Sequence, residues 1–185
     1  MDTLSDNALM LKVRNGDIDK MGMLYERYYL ELYRFIFQIT RQRESSEDIV
    51  QYVFFRMMKY RKGFTGSGEF RTWMYHIARN TLNDHYRNNR RTPSNNGIPL
   101  HDFEGKIAAD MSADGQLEKQ QDLRTLELAM QKLSIENREL LVLCRFQELK
   151  YQEIARILNT TEGAVKVRVH RAMTQLKNNY LKIGK

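Results

Sequence analysis

A chain of 185 residues, 42% hydrophobic and 29% charged, is long enough for one ordinary domain or two small ones, and its composition is globular rather than fibrous or disordered. With 2 prolines and 10 glycines it lacks the turn formers of a strand-rich fold; no apolar run approaches the roughly 18 residues of a membrane span, and the polar, acidic start MDTLSDNALM is no secretory leader. The single cysteine, Cys144, excludes a disulfide framework and fits a reducing cytoplasm, while a net charge of +7 suggests a polyanionic partner.

The predicted elements are all helices. Residues 5–15 read as a short helix capped by Ser5, with Leu9 and Val13 on one side. Residues 18–40 carry Met21, Leu24, Tyr25, Tyr28, Leu32, Phe35, Ile36 and Ile39 three and four apart, the spacing of an amphipathic helix. A third helix is expected over about 46–61, capped by Ser45 or Ser46, with Glu47 and Asp48 in its first turn and Val53, Phe54 and Met57 toward a core. Gly63, Gly66 and Gly68 break the pattern. A fourth helix follows over about 69–90, with Phe70, Trp73, Met74, Ile77, Ala78 and Thr81 on its inward stripe. That spacing makes Trp73 a core residue. Four helices joined by short loops form a bundle.

The run Arg91-Thr-Pro-Ser-Asn-Asn-Gly-Ile-Pro99 holds both prolines, and no apolar period is sustained after it until about Gly115. Residues 92–116 therefore read as a linker, and about 26 residues of flexible coil would span roughly 28 Å. Charge follows the same division: residues 1–91 carry a net +5, residues 92–120 a net −3 and residues 121–185 a net +5. Two basic modules, 1–91 and 117–185, flank an acidic spacer.

The second module is expected to hold helices over 117–132, 135–146, 151–158 and 162–180, so the whole chain is all-α. Its last two helices have helix-turn-helix form. Ile154, Ala155 and Leu158 give the first an inner face, Asn159 stands where the chain must enter the left-handed region, and Thr161 caps the second. At 100° per residue, Val165, Val169, Ala172 and Leu176 fall within a stripe about 60° wide. The opposite side presents Gly163, Val167, His170, Arg171 and Thr174, flanked by Lys166 and Arg168, and suits a major groove. Lys166, Lys177 and Lys182 suit phosphates.

Further patterns are Leu24-Tyr-Glu-Arg-Tyr-Tyr29, Glu47-Asp-Ile-Val-Gln51, Val53-Phe-Phe-Arg56, Phe70-Arg-Thr-Trp-Met-Tyr-His-Ile-Ala-Arg-Asn80 and Asp84-His-Tyr-Arg87. The second block adds Leu140-Leu-Val-Leu-Cys-Arg-Phe146, Tyr151-Gln-Glu-Ile-Ala155 and Gly163-Ala-Val-Lys-Val-Arg-Val-His-Arg-Ala172. In this order and separation they resemble the extracytoplasmic-function sigma factors, the smallest class of bacterial RNA polymerase initiation subunits. The resemblance implies that residues 1–91 are region two, which docks on the polymerase clamp and opens the minus-ten element. Residues 117–185 would be region four, which reads the minus-thirty-five element and touches the β-subunit flap. It also implies a cytoplasmic factor, monomeric when not bound to polymerase or to an anti-sigma protein, with no cofactor and no metal.

Site residues follow from that resemblance. The polymerase-docking face maps onto Asp48, Gln51 and Arg56, with Tyr52 standing where the family usually has glutamate. The minus-ten contacts map onto Phe64, Thr65 and Ser67 of the loop 62–68, which would capture a flipped base by stacking and edge hydrogen bonds. They continue along the fourth helix as Arg71, Arg79, Asn80, Arg87 and Arg91, with Asn83 in place of a usual aliphatic residue. The duplex contacts are Lys166, Val167, Arg168, His170, Arg171 and Thr174. Two other readings stay open from the residues alone. One is a dimeric helix-turn-helix regulator with an amino-terminal sensory bundle; the other is a metal-dependent nuclease built on Asp84-His85 or His101-Asp102, neither of which has a helical metal-ligand spacing.

Overall fold

The computed structural model describes residues 4–91 and 113–184, and its regular structure is helical throughout. The first module holds α1 (Asp6–Arg14), α2 (Lys20–Thr40), α3 (Arg43–Lys59) and α4 (Phe70–Arg91), with a 3₁₀ turn at Arg61–Gly63. The second holds α5 (Ala113–Gln131), α6 (Ile135–Leu141), a π-helical turn at Val142–Phe146, α7 (Tyr151–Leu158) and α8 (Glu162–Ile183). Among the described residues no helix is long and apolar enough to cross a membrane.

Local chemistry sets most of the boundaries. Ser5 caps α1 by accepting from the Ala8 amide at 3.3 Å, as its residue type predicts. α3 starts earlier than expected, at Arg43, and neither Ser45 nor Ser46 caps it. Ser46 is buried in the first turn instead, its hydroxyl donating to the Gln42 carbonyl and sitting 2.8 Å from Thr40 Oγ1. The helix expected over 135–146 ends as an α-helix at Leu141 and widens into the π turn, in which the Gln147 amide donates to Val142 O at 3.0 Å. α5 begins at Ala113, inside the stretch expected to be linker; residues 92–112, with His101 and Asp102, lie outside the described residues.

Leu32, Phe35, Ile36, Val53, Met57 and Met74 form the buried heart of the first module; Leu140, Leu143, Ile154, Ile157, Val165 and Val169 form that of the second. Val53, Phe54 and Met57 face inward as their spacing predicts, and Trp73 packs partly buried against the same core. The modules also pack on each other. α4 lies against α7, and α2 lies against α6 and the π turn.

Candidate nucleic-acid interface

α7 and α8 form the expected helix-turn-helix. Asn159 takes the left-handed conformation at φ 52°, and Thr161 caps α8 by accepting from the Ala164 amide at 3.2 Å. A Cβ-bearing residue is strained there unless its short polar side chain bonds locally, which is why Asn fits. Val165, Val169 and Ala172 are buried, with Leu176 partly so. The outer face is free: Lys166, Val167, His170, Arg171 and Thr174 are exposed and Arg168 is half-buried. Lys166 pairs with Glu162 one turn earlier at 2.8 Å, and the Thr174 hydroxyl donates to His170 O, so both are oriented before any ligand arrives.

The glycine loop is braced rather than free. Asn7 of α1 donates to Gly68 O at 2.9 Å and accepts from the Phe70 amide at 2.7 Å, capping α4 from another helix. Gly66, at φ 77°, sits with its Cα against Leu11, where an added Cβ would meet Cδ2 at 3.3 Å. Thr65 and Ser67 are exposed, with their hydroxyls 2.7 Å apart. Phe64 is not available for stacking here. It is 3% exposed, with its ring against Trp73 and Phe70. An apolar ring beside two aromatic neighbours gains more from burial than from water, a pull that residue type alone does not reveal.

Along α4, Asn80, Asn83, Arg87 and Asn88 are exposed, and the Arg91 side chain lies outside the described residues. Arg87 pairs with Asp84 at 3.0 Å, and Asp84 also holds Arg56 of α3. Arg56, mapped to the docking face, thus ties α3 to α4, whereas Asp48 and Gln51 are exposed beside it. Arg71 and Arg79 are engaged as well. Arg71 Nε donates to Glu31 Oε1 at 2.7 Å and its Nη2 to Gln147 O at 2.9 Å; Arg79 Nε lies 3.2 Å from Glu139 Oε1. Both arginines are therefore engaged where the modules meet, Arg71 between Glu31 of its own module and Gln147 and Arg79 with Glu139, and both stay partly exposed.

Glu139, Gln147 and Arg138 were not singled out by the sequence patterns, because each has a partner 60 or more positions away in the chain. Burial pushes the Glu139 carboxyl above its usual range, while Arg79 and Arg168 pull it down and Glu136 adds to the rise. A raised value in the folded chain means that folding favours the protonated acid; that stabilisation is full at low pH and is lost as pH rises through the raised value. Glu139→Gln should therefore be at least as stable as the natural chain at pH 7, with the difference closing toward pH 4. Urea midpoints at the two pH values check this, and a less stable variant at pH 7 would mean that the Arg79 pair outweighs burial.

Two helical modules, one a helix-turn-helix with a basic outer face, define a DNA-binding protein. Residues 24–92 match the Sigma-70 region 2 family and residues 123–176 the Sigma-70, region 4 family. The RNA polymerase sigma factor YlaC of Bacillus subtilis (strain 168) is 32% identical over 165 residues, 89% of this chain and 94% of that protein. The ECF RNA polymerase sigma-E factor of Escherichia coli (strain K12) is 29% identical over 182 residues, 95% of this chain and 94% of that one. The fold matches that of the sigma factor RpoE, solved in complex with the anti-sigma factor NepR from Bartonella quintana, with a TM-score of 0.66 at 22% identity over 89% of this chain and 98% of that one. The chain belongs to the extracytoplasmic-function (ECF) sigma factor family, alternative sigma factors that direct transcription initiation and are not enzymes.

Proposed function

We propose that residues 1–91 dock on the clamp of core RNA polymerase and open the minus-ten element, and that the module after the linker reads the minus-thirty-five element and touches the β-subunit flap. The observation that carries this reading is the outer face of α8, exposed and basic on a helix whose opposite stripe is buried. A helix held this way inserts into a major groove with Arg171 toward base edges and Lys166 toward phosphate. Asn80, Thr65, Ser67, Arg87 and Arg91 are the first module's contacts to the separated strand, joined by Arg71 and Arg79 once their partners release them. We extend to this chain an anti-sigma partner, by analogy with the RpoE–NepR complex, and infer a cytoplasmic location and a monomeric free state from the family's role.

Run-off transcription with purified core polymerase on genomic fragments tests the reading, since new start sites should appear only when the chain is added. Tight, site-specific, dimeric binding to duplex without polymerase would instead favour a conventional regulator. Arg171→Ala should cost about 1–3 kcal/mol at promoters carrying one particular upstream base and relax preference there. Equal weakening at every promoter would reduce Arg171 to a phosphate contact.

A further inference from the structure

We propose that Val167 reads the C5-methyl group of a thymine in the major groove, and that this apolar contact, beside Arg171, sets which upstream elements the chain accepts. The inference rests on the reading of α8 as the helix that enters the upstream duplex, and it names the chemical group that this helix selects.

Val165, Val167 and Val169 alternate along α8, but at 100° per residue the helix turns Val167 away from the other two. Val165 and Val169 are 0% and 4% exposed, whereas Val167 is 50% exposed. A β-branched residue loses side-chain freedom in a helix and gains nothing in return without burial. Neither packing nor helix propensity therefore accounts for Val167 within the chain. Gly163, one turn earlier, is no better explained from inside. A Cβ added to it would meet nothing within 4 Å, and its φ is not positive, so neither a close approach nor left-handed backbone calls for glycine.

Side chains on a helix lean toward its amino terminus, so the Val167 methyls lie over the turn that holds Gly163 and Ala164. They form a small apolar step beside a backbone without a side chain, at the end of the helix that enters the groove. Lys166, His170 and Arg171 stand exposed around it. A basic rim with an apolar centre complements the major groove, whose polyanionic walls enclose one apolar group, the thymine methyl. An apolar protein knob seated here would strip water from Lys166 and Arg171 without supplying phosphates in return. Residues four apart on a helix stand about 5–6 Å from each other, and base pairs stack about 3.4 Å apart. The thymine therefore lies within about three base pairs of the base that Arg171 reads.

Deoxyuridine in place of thymidine removes that methyl and leaves every hydrogen-bonding edge intact. On a promoter defined by run-off transcription, each upstream thymidine is replaced in turn. The readout is the concentration of core polymerase loaded with the full chain that gives half-maximal transcript. One replacement should raise that concentration about fourfold, the worth of one buried methyl group, and should fall within about three base pairs of the position where Arg171→Ala relaxes preference. Val167→Ser should raise it by a similar factor on the thymidine promoter and make the deoxyuridine replacement nearly silent, with the urea midpoint of the natural chain retained. The proposal is overturned if no upstream replacement raises the concentration by about twofold or more. It is equally overturned if the Val167→Ser chain discriminates thymidine from deoxyuridine as the natural chain does. A natural chain that yields no start sites on unmodified DNA instead overturns the initiation reading, and methyl readout falls with it.

Discussion

Replacing Arg138 with alanine is expected to lower the unfolding free energy by about 3 kcal/mol, measured by urea denaturation, because one guanidinium serves two helix ends in two modules. Its Nε donates to Met130 O at 3.0 Å and its Nη2 to Gln131 O at 2.6 Å and Leu133 O at 3.3 Å, covering the end of α5. Its Nη1 donates to Ile39 O near the end of α2. The last carbonyls of a helix have no partner of their own and carry the negative end of its dipole, so a forked cation satisfies both needs. Burial holds the Arg138 pKa below its usual value, with Tyr86 opposing and Arg41 adding, so desolvation offsets part of the gain. Arg138→Lys should recover less than half of the loss, since an ammonium cannot fork across four carbonyls. A loss under about 1 kcal/mol for the alanine variant would mean that water caps these ends just as well.

What was legible in the sequence is what depends on near neighbours. The Tyr151–Leu158 helix, the left-handed Asn159 and the Thr161 cap each follow from residue type within a few positions, and all three occur where expected. Ser46 misleads because Thr40 and the Gln42 carbonyl offer its hydroxyl a better place than the helix amides. The π turn escapes because apolar spacing over 135–146 cannot distinguish an α-helical end from one widened by a residue. The fates of Phe64, Arg71 and Arg79 depend on packing across the chain. A ring in a glycine loop and two arginines on a basic helix look exposed until Trp73, Glu31, Gln147 and Glu139 come into place around them.

The double change Tyr52→Ala with Phe55→Ala should weaken binding to core polymerase by about 3 kcal/mol, on the order of a hundredfold, while leaving stability within about 0.5 kcal/mol. On α3 the buried Val53, Phe54 and Met57 anchor one side, and Tyr52 and Phe55 stand out on the other at 47% and 56% exposure. Their rings stack at 5.7 Å and 17°, and the Arg56 guanidinium lies 4.9 Å from the Tyr52 centroid. Two large rings stacked in solvent form an apolar patch bordered by Asp48 and Gln51, the kind of surface that marks a protein contact. Phe55 stands in the Val53–Arg56 pattern with no role of its own; its exposure becomes evident only once Phe54 is seen to take the inward position. Where the family usually places a glutamate, Tyr52 exchanges charge for aromatic area, so docking here should depend less on salt than charge pairing would. Tyr52→Glu should therefore make polymerase binding steeper in salt without abolishing it at low ionic strength. A double alanine variant that binds core polymerase as tightly as the natural chain would leave Asp48 and Gln51 to carry the contact and the stacked rings without a partner.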